Sequence, residues 1–229
     1  MGRVSILGVF VADTSYRADR PPRMGETVLG NSFKLGPGGK GSNQAVAAAR
    51  LGANVAFITR LGEDAFAEMA MRTWSDAGVE PVVTRTPESY TGAAYIFVEE
   101  ATGDNAIIIA PGAAALITPA DLDAQSALIG RASVFVTQLE QPLAAAERGL
   151  AIAREHGVTT ILNPAPGQDL SADTLALVDY ATPNETEAEI LTGASVTSLD
   201  EARSAADLIL ARGVGSAVIT LGSQGALFH

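Results

Sequence analysis

Short apolar runs alternate along the chain with longer amphipathic stretches, and this alternation carries the first structural information. Residues 4–11 are mostly apolar and predict a buried first strand. Residues 17–23 are polar and contain Pro21 and Pro22, which marks a loop. Residues 27–35 mix β-branched, aromatic and polar side chains, as an exposed strand does. A glycine-rich flexible loop at 36–41 runs into an alanine-rich helix at 42–52, which opens on cap-type residues and closes on glycine. A strand at 55–61 precedes a helix at 65–77, stopped by Gly78. Residues 94–100 and 106–110 flank a turn rich in Gly, Asp and Asn, the signature of a hairpin. Residues 119–129 read as a helix with Thr118 as cap and Pro119 in its first position.

Beyond that point the pattern is regular. Strands are expected at 134–139, 159–162, 180–182 and 217–221, and helices at 143–155, 185–191 and 200–212. Strand and helix in alternation imply right-handed crossovers, hence an α/β fold: a three-layer parallel sheet with helices on both faces. The strand at 27–35 and the hairpin break the alternation, so a second, small β-sheet is expected, contributed by about 12–36 and 92–112. Placed over the C-terminal ends of the main strands, where ligands of open α/β sheets bind, it would act as a lid. Residues 225–229 start one more apolar strand, expected to stop without a partner as a bare edge. The whole of 1–229 reads as a single, incomplete α/β domain.

Composition narrows the function. Of 229 residues, 47% are hydrophobic and 18% charged, a globular balance with ample core. The net charge of −11, with no basic cluster, argues against a nucleic-acid partner. No cysteine is present, so disulfides and thiolate chemistry are excluded and a reducing compartment fits. The apolar run at the N-terminus is too short for a signal peptide, and no run of about 18 apolar residues suggests a membrane span. A cytoplasmic protein is expected. His156 and His229 are the only histidines, which gives no support to His/Cys metal clusters or serine–histidine catalysis.

The loop Gly36-Pro37-Gly38-Gly39-Lys40-Gly41 is the strongest local signal. Its Gly36, Gly38 and Gly41 satisfy the dinucleotide spacing, but that fingerprint belongs in the turn after the first strand, not after the second extended segment. It also falls short of a P-loop, because Gly41 stands where Ser or Thr must follow Gly-Lys. A plain turn capping a helix is the bland alternative. The Lys within the loop, and Asn43 where free N–H groups face outward, favour a ligand with electronegative atoms such as hydroxyls. Asp13 and Glu140 end apolar strands, where a carboxylate is costly unless it is used; capping of a turn or helix is the alternative for each. In Asn184-Glu185-Thr186-Glu187, helix capping and a metal-water contact are compatible readings.

Residues 38–49, Gly-Gly-Lys-Gly-Ser-Asn-Gln-Ala-Val-Ala-Ala-Ala, resemble the N-terminal signature of the ribokinase-type (PfkB) carbohydrate kinases. The likeness continues through Gly25-Glu26-Thr27-Val28, Gln138-Leu139-Glu140, Leu162-Asn163-Pro164-Ala165-Pro166, the segment Pro183 to Glu187, and Ile219-Thr220-Leu221-Gly222-Ser223. The resemblance implies ATP-dependent phosphorylation of the terminal hydroxyl of a pentose, with Mg2+ and, in the family, a monovalent cation such as K+, whose site is absent from these residues. It implies sugar binding by Val11, Ala12, Asp13, Gly39, Lys40, Gly41, Ser42, Asn43 and Glu140. It places ATP at Asn184, Thr220, Leu221, Gly222, Ser223, Gln224 and Gly225, and magnesium-bound water at Glu187. It also implies a homodimer formed through the lid strands, each lid closing over the partner's site.

The sequence departs from that family in three places. The family's Gly-Ala-Gly-Asp turn, which supplies the catalytic base and an anion hole, does not occur here, and the one adjacent Gly-Asp pair, Gly103-Asp104, lies in the hairpin turn. Negligible turnover is therefore expected of the chain as written, with a non-catalytic sugar-binding remnant as the alternative reading. Val11 and Ala114 stand where the family has Asn. Both changes are expected to make the pocket less polar and to favour a substrate such as 2-deoxyribose.

Overall fold

The computed structural model describes residues 2–229. Its large sheet runs β12-β11-β10-β9-β8-β1-β4-β5, and its small sheet runs β3-β2-β6-β7. The large sheet consists of β1 (Arg3–Leu7), β4 (Asn54–Leu61), β5 (Glu80–Arg85), β8 (Val134–Thr137), β9 (Thr159–Leu162), β10 (Tyr180–Ala181), β11 (Ser216–Thr220) and β12 (Ala226–Phe228). All of its pairings are parallel except β11 with β12. The small sheet consists of β2 (Val11–Ala18), β3 (Ser32–Gly38), β6 (Thr91–Glu99) and β7 (Asn105–Gly112).

The helices are α1 (Lys40–Arg50), α2 (Ala65–Ala77), α3 (Pro119–Ala124), α4 (Ser126–Ile129), α5 (Leu143–Glu155), α6 (Ala172–Leu175), α7 (Glu185–Thr192) and α8 (Leu199–Ala211). Two cores cover the sheet. Ala45 of α1 and Ala67, Ala70 and Trp74 of α2 pack with Ile6, Val55 and Phe57. Leu122, Leu150, Ala188 and Ile209, from α3, α5, α7 and α8, pack with Leu7, Ile58, Phe135, Leu162 and Ile219. Ile6 and Leu7 are adjacent in one strand and fall in different cores, as alternation across a pleat requires. The fold is the three-layer α/β architecture expected from the alternation.

Several boundaries differ from the sequence reading, each for a physical reason. The apolar run at 4–11 covers two elements: β1 stops at Leu7 and the chain re-enters extended structure at Val11 in the other sheet. Arg17 and Ala18, placed in a loop by their polar neighbours, finish β2. The next strand is Ser32–Gly38 rather than 27–35, so Gly36, Pro37 and Gly38 are paired residues and not a flexible loop. The strand β5 escaped the pattern because Glu80, Pro81 and Arg85 interrupt its apolar run; as an edge strand it tolerates them. The helix at 119–129 is broken at Gln125 into α3 and α4. The strand at the C-terminal end does have a partner: Ile219 pairs with Leu227 and Thr220 with Ala226, so β12 closes β11 and is itself the edge.

Candidate active site

The end of the large sheet that matters is set by its connections. Gly8, Gln138, Asn163, Pro183 and Leu221 directly follow or closely trail the C-terminal ends of β1, β8, β9, β10 and β11. One edge of the sheet therefore carries, in spatial order, the segments the sequence singled out. The small sheet joins the body beside β1. Asp64 anchors this joint: it caps α2 by accepting from Ala67 N at 2.8 Å and accepts from Thr91 N, the first residue of β6, at 2.7 Å. Burial alone would raise its carboxyl, but these backbone N–H groups and the Thr91 hydroxyl outweigh burial and hold it low.

Helix α1 begins two residues earlier than expected. Its N-cap is Gly39, with φ +91°, and no side chain caps it. A Cβ at this position would run into the Val9 carbonyl oxygen, so only glycine fits. The helix end is served from elsewhere in the chain. Lys40 N–H donates to Glu140 Oε2 at 2.7 Å, and Ser42 N–H donates to the Val9 carbonyl at 3.3 Å. Glu140 therefore places its negative charge at the positive end of α1.

Lys40 and Glu140 share a cavity of about 350 Å³ with Val9, Val11, Ile109, Pro111, Leu139 and Pro166. Its floor comes from the ends of β1 and β8, and its roof from β7 of the small sheet. The other lining residues are apolar, and Lys40 and Glu140 meet on the cavity wall through the Lys40 N–H bond. Burial pushes the Glu140 carboxyl above its ordinary value; the Lys40 N–H and ammonium oppose that, and the Asp13 charge adds to it. Asp13 carries a carboxyl raised by burial. It lies against Gly38, where any side chain would collide with it, and lines a neighbouring depression of about 320 Å³ with Ser15, Lys34, Gly36, Pro37 and Ile96. Asp13 thus acts on Glu140 through its charge but sits beside the Lys40–Glu140 cavity.

Other expected sugar-site residues divide clearly. Val11 lines the cavity, whereas Ala12, on the opposite face of β2, is fully buried in the core shared with α1 and α2. The Ser42 hydroxyl accepts from the Trp74 indole N–H at 2.9 Å and is buried, so its side chain serves the core and not the cavity. Gly41 is buried against Gly8, and Asn43 is exposed on the first turn of α1. Ala114 is 1% exposed and packs in the larger core, so of the two Asn-replacing residues only Val11 reaches the cavity. The wall residues Val9, Ile109 and Pro111 carried no signal in the sequence, because apolar cavity walls and ordinary core look alike there; Pro166 entered only as the end of the family-like segment Leu162 to Pro166.

The second group of segments lies two to three strands away. Asn184 and Glu187 form a reciprocal cap: Glu187 N–H donates to Asn184 Oδ1 at 2.8 Å, and Asn184 N–H donates to Glu187 Oε2 at 2.9 Å. Asn184 also bridges Thr220, whose N–H donates to the Pro183 carbonyl at 3.0 Å. The turn from Leu221 to Gly225, with Gly222, Ser223 and Gln224 exposed, closes through Leu221 N–H to the Gly225 carbonyl at 2.8 Å. Among the described residues no three His, Cys, Asp or Glu side chains group to hold a metal ion directly. A cavity of about 590 Å³ lies at the opposite edge of the sheet, among Thr159, Tyr180 and Ser216 at the starts of β9, β10 and β11. Its charges, Arg154 and Asp179, pair with each other.

Comparison with known proteins gives the family and the fold. Residues 1–229 match the model of the pfkB family of carbohydrate kinases. The ribokinase of Haemophilus influenzae is 38% identical over 223 residues, which are 97% of this chain and 72% of that protein. The deoxyribokinase of Salmonella typhi is 35% identical over 227 residues, 98% of this chain and 74% of that protein. The ribokinase of Arabidopsis thaliana, solved in complex with ribose and ATP, superposes with a TM-score of 0.90 at 28% identity over 99% of this chain and 74% of that one.

Proposed function

The chain belongs to the pfkB family of carbohydrate kinases, and we propose that it binds a pentose in the Lys40–Glu140 cavity and presents the sugar's terminal hydroxyl, O5, to ATP lying over the ends of β10 and β11. The observation that carries this reading is the cavity itself. A half-buried carboxylate and a helix N-terminus converge in an otherwise apolar space of about 350 Å³, beneath a small sheet. Glu140 keeps one oxygen for Lys40 N–H and has the other for a sugar hydroxyl. Lys40 supplies a donor, and Asp13 an acceptor at the rim.

In the reaction, O5 attacks the γ-phosphorus of ATP, the bond to the β–γ bridging oxygen breaks, ADP leaves, and the O5 proton passes to a base. Asn184 and Glu187 are suited to the nucleotide end. Their cap uses the Asn184 carbonyl and one Glu187 oxygen, which leaves the Asn184 amide N–H groups and the second Glu187 oxygen for phosphate and metal-bound water. Magnesium held this way, through water and phosphates, is consistent with the absence of a direct ligand cluster among the described residues; bound there, it would neutralise charge on the transferring phosphate. The loop from Thr220 to Gly225 would lie beside the nucleotide. The base and the K+ site have no counterpart in these residues.

The substrate reading follows from Val11. A hydroxyl facing a valine finds no partner, so the cavity suits 2-deoxyribose at least as well as ribose; the likeness to a deoxyribokinase supports this. Calorimetry with both sugars tests it: binding of either one supports the sugar site, a strong preference for ribose removes the deoxy reading, and no binding of any pentose removes both. The 229 residues hold no Gly-Ala-Gly-Asp turn, so alone they are expected to bind sugar with no ATP consumption above background. Measurable turnover with ribose and magnesium would overturn that expectation.

We further propose that two copies pair through the small sheets. Tyr16, Phe33 and Tyr95 lie on one face, 42%, 57% and 37% exposed, with the Tyr16 ring 5.0 Å from Phe33 and 5.5 Å from Tyr95. An exposed aromatic face of this kind fits an interface.

A further inference from the structure

Behind the Lys40–Glu140 contact lie two glutamines that do not line the cavity. Gln138 is fully buried and Gln141 is 3% exposed. They flank Glu140 in the turn that follows β8. Gln138 Nε2 donates to Gln44 Oε1, on α1, at 2.5 Å. Among the described residues Gln138 Oε1 has no hydrogen-bond partner. It faces the Cα atoms of Gly8 and Gly41: a Cβ built on Gly8 would lie 2.5 Å from it, and one on Gly41 2.7 Å. Gln141 Nε2 donates to Thr137 Oγ1 at 2.9 Å and to the Gln138 carbonyl, and its Oε1 likewise has no partner.

Stability does not account for this arrangement. A buried amide oxygen left unpaired costs more than one additional internal hydrogen bond returns, and an apolar side chain of the same length would fill the space without that cost. What an amide supplies and a methylene does not is direction. Three separate pieces of chain meet at Gln138: the end of β1 at Gly8, the first turn of α1 at Gly41 and Gln44, and the turn that carries Glu140. The same three pieces make the floor of the cavity.

We propose that Gln138, with Gln44 and Gln141, positions the sugar-binding carboxylate. The Gln138–Gln44 bond fixes the turn after β8 against α1, and Gln141 fixes the turn onto β8. Glu140 then meets Lys40 N–H with one oxygen and keeps the other aimed into the cavity. A side chain at Gly8 or Gly41 would collide both with the Gln138 amide and with the Cα of the other glycine, so the amide sits against the point where β1 and α1 come closest. Gln138 itself touches no substrate. The proposal rests on the sugar-site reading above.

Gln138→Met keeps length and removes both amide atoms. Three readouts on the 229-residue chain are the melting temperature, the Glu140 carboxyl titration by carbon-13 NMR, and ribose affinity by calorimetry. The expected result is a melting temperature equal to or above the parent's. Glu140 should titrate closer to an ordinary glutamate, as the turn relaxes and water reaches it. Ribose affinity should fall about tenfold. Gln44→Met, at a half-buried position on α1, should reproduce these changes, and the double variant should lose no more affinity than either single one, because both break the same bond. If Gln138→Met does not fold, the Gln44→Met result decides alone. Unchanged Glu140 titration and affinity in a folded variant overturn the proposal. A parent chain that binds no ribose, while the variant still shifts the Glu140 titration, supports the positioning role and refutes the sugar reading, so the two failures are distinguishable.

Discussion

Glu140 and Asp13 both carry carboxyls raised by burial, and in Glu140 the Asp13 charge adds to a rise that Lys40 opposes. A sugar hydroxyl donates a stronger hydrogen bond to the carboxylate than to the acid. With the folded value raised, the acid form persists to higher pH than it would in a solvated glutamate. Ribose affinity is therefore expected to fall on acidification while the pH is still above the ordinary glutamate value of 4.5. Glu140→Gln should weaken binding by roughly 10- to 100-fold, the loss of a hydrogen bond to a charged group, and leave only the shallower slope due to Asp13; calorimetry across pH reads both. For stability the sign is reversed. Between the unfolded and the raised folded value the native state holds extra protons, so these two groups lower stability as pH rises through that window. At Val11 the prediction concerns selectivity. Val11→Asn puts a donor and an acceptor on the cavity wall and should shift the ribose to 2-deoxyribose affinity ratio about tenfold toward ribose. An unchanged ratio would show that the wall at Val11 does not face the discriminating hydroxyl.

Helix α1 is the element on which the cavity turns. It starts where Gly39 takes a φ of +91° hard against the Val9 carbonyl, and its first N–H group is capped by a carboxylate 100 residues away. Gly39→Ala forces a Cβ into that carbonyl and a strained backbone on the new residue. A loss of about 2–3 kcal/mol is expected, read as a lower urea midpoint, together with weakened ribose binding as the Lys40–Glu140 contact opens. Loss of stability with intact binding would mean that the helix start and the cavity are independent. The start of α1 was misplaced by two residues in the sequence reading for an intelligible reason: the cap-type residues Ser42 and Asn43 signal a helix N-terminus, yet the Ser42 hydroxyl is taken by Trp74 and no side chain of the segment does the capping.

At the scale of the whole molecule, two sheets divide the work. The large one brings the ends of β1, β8, β9, β10 and β11 into one row, and the small one covers the row where β1 and β8 meet. The outer face of the small sheet leaves Phe33 57% exposed beside Tyr16. If copies pair there, Phe33→Asp should lower the mass measured by light scattering from twice 23.5 kDa to 23.5 kDa, with ribose affinity reduced if the partner's sheet helps to close the cavity. A chain that is monomeric before the substitution would remove the pairing.

The elements legible in the sequence are those whose apolar period is strong and whose ends are punctuated. The helices at 65–77 and 143–155 and the strand at 159–162 lie where periodicity, Gly78 and the flanking polar residues put them. The candidate site residues were marked in the same local way, Asp13 and Glu140 as carboxylates following apolar runs and Lys40 as a lysine among glycines. Strand order was not legible. A run of apolar side chains states which faces are buried but not which strand lies alongside, so the meeting of β1 and β8 had to come from packing. The contact of Glu140 with a backbone N–H also lay outside the sequence's reach, because a main-chain donor has no letter of its own. Only the folded chain could turn Ser42 inward to Trp74, bury Ala114 away from the cavity, set Asp13 beside it and leave Val11 on its wall. Each of those outcomes depends on side-chain direction relative to a distant element, which one-dimensional spacing does not specify.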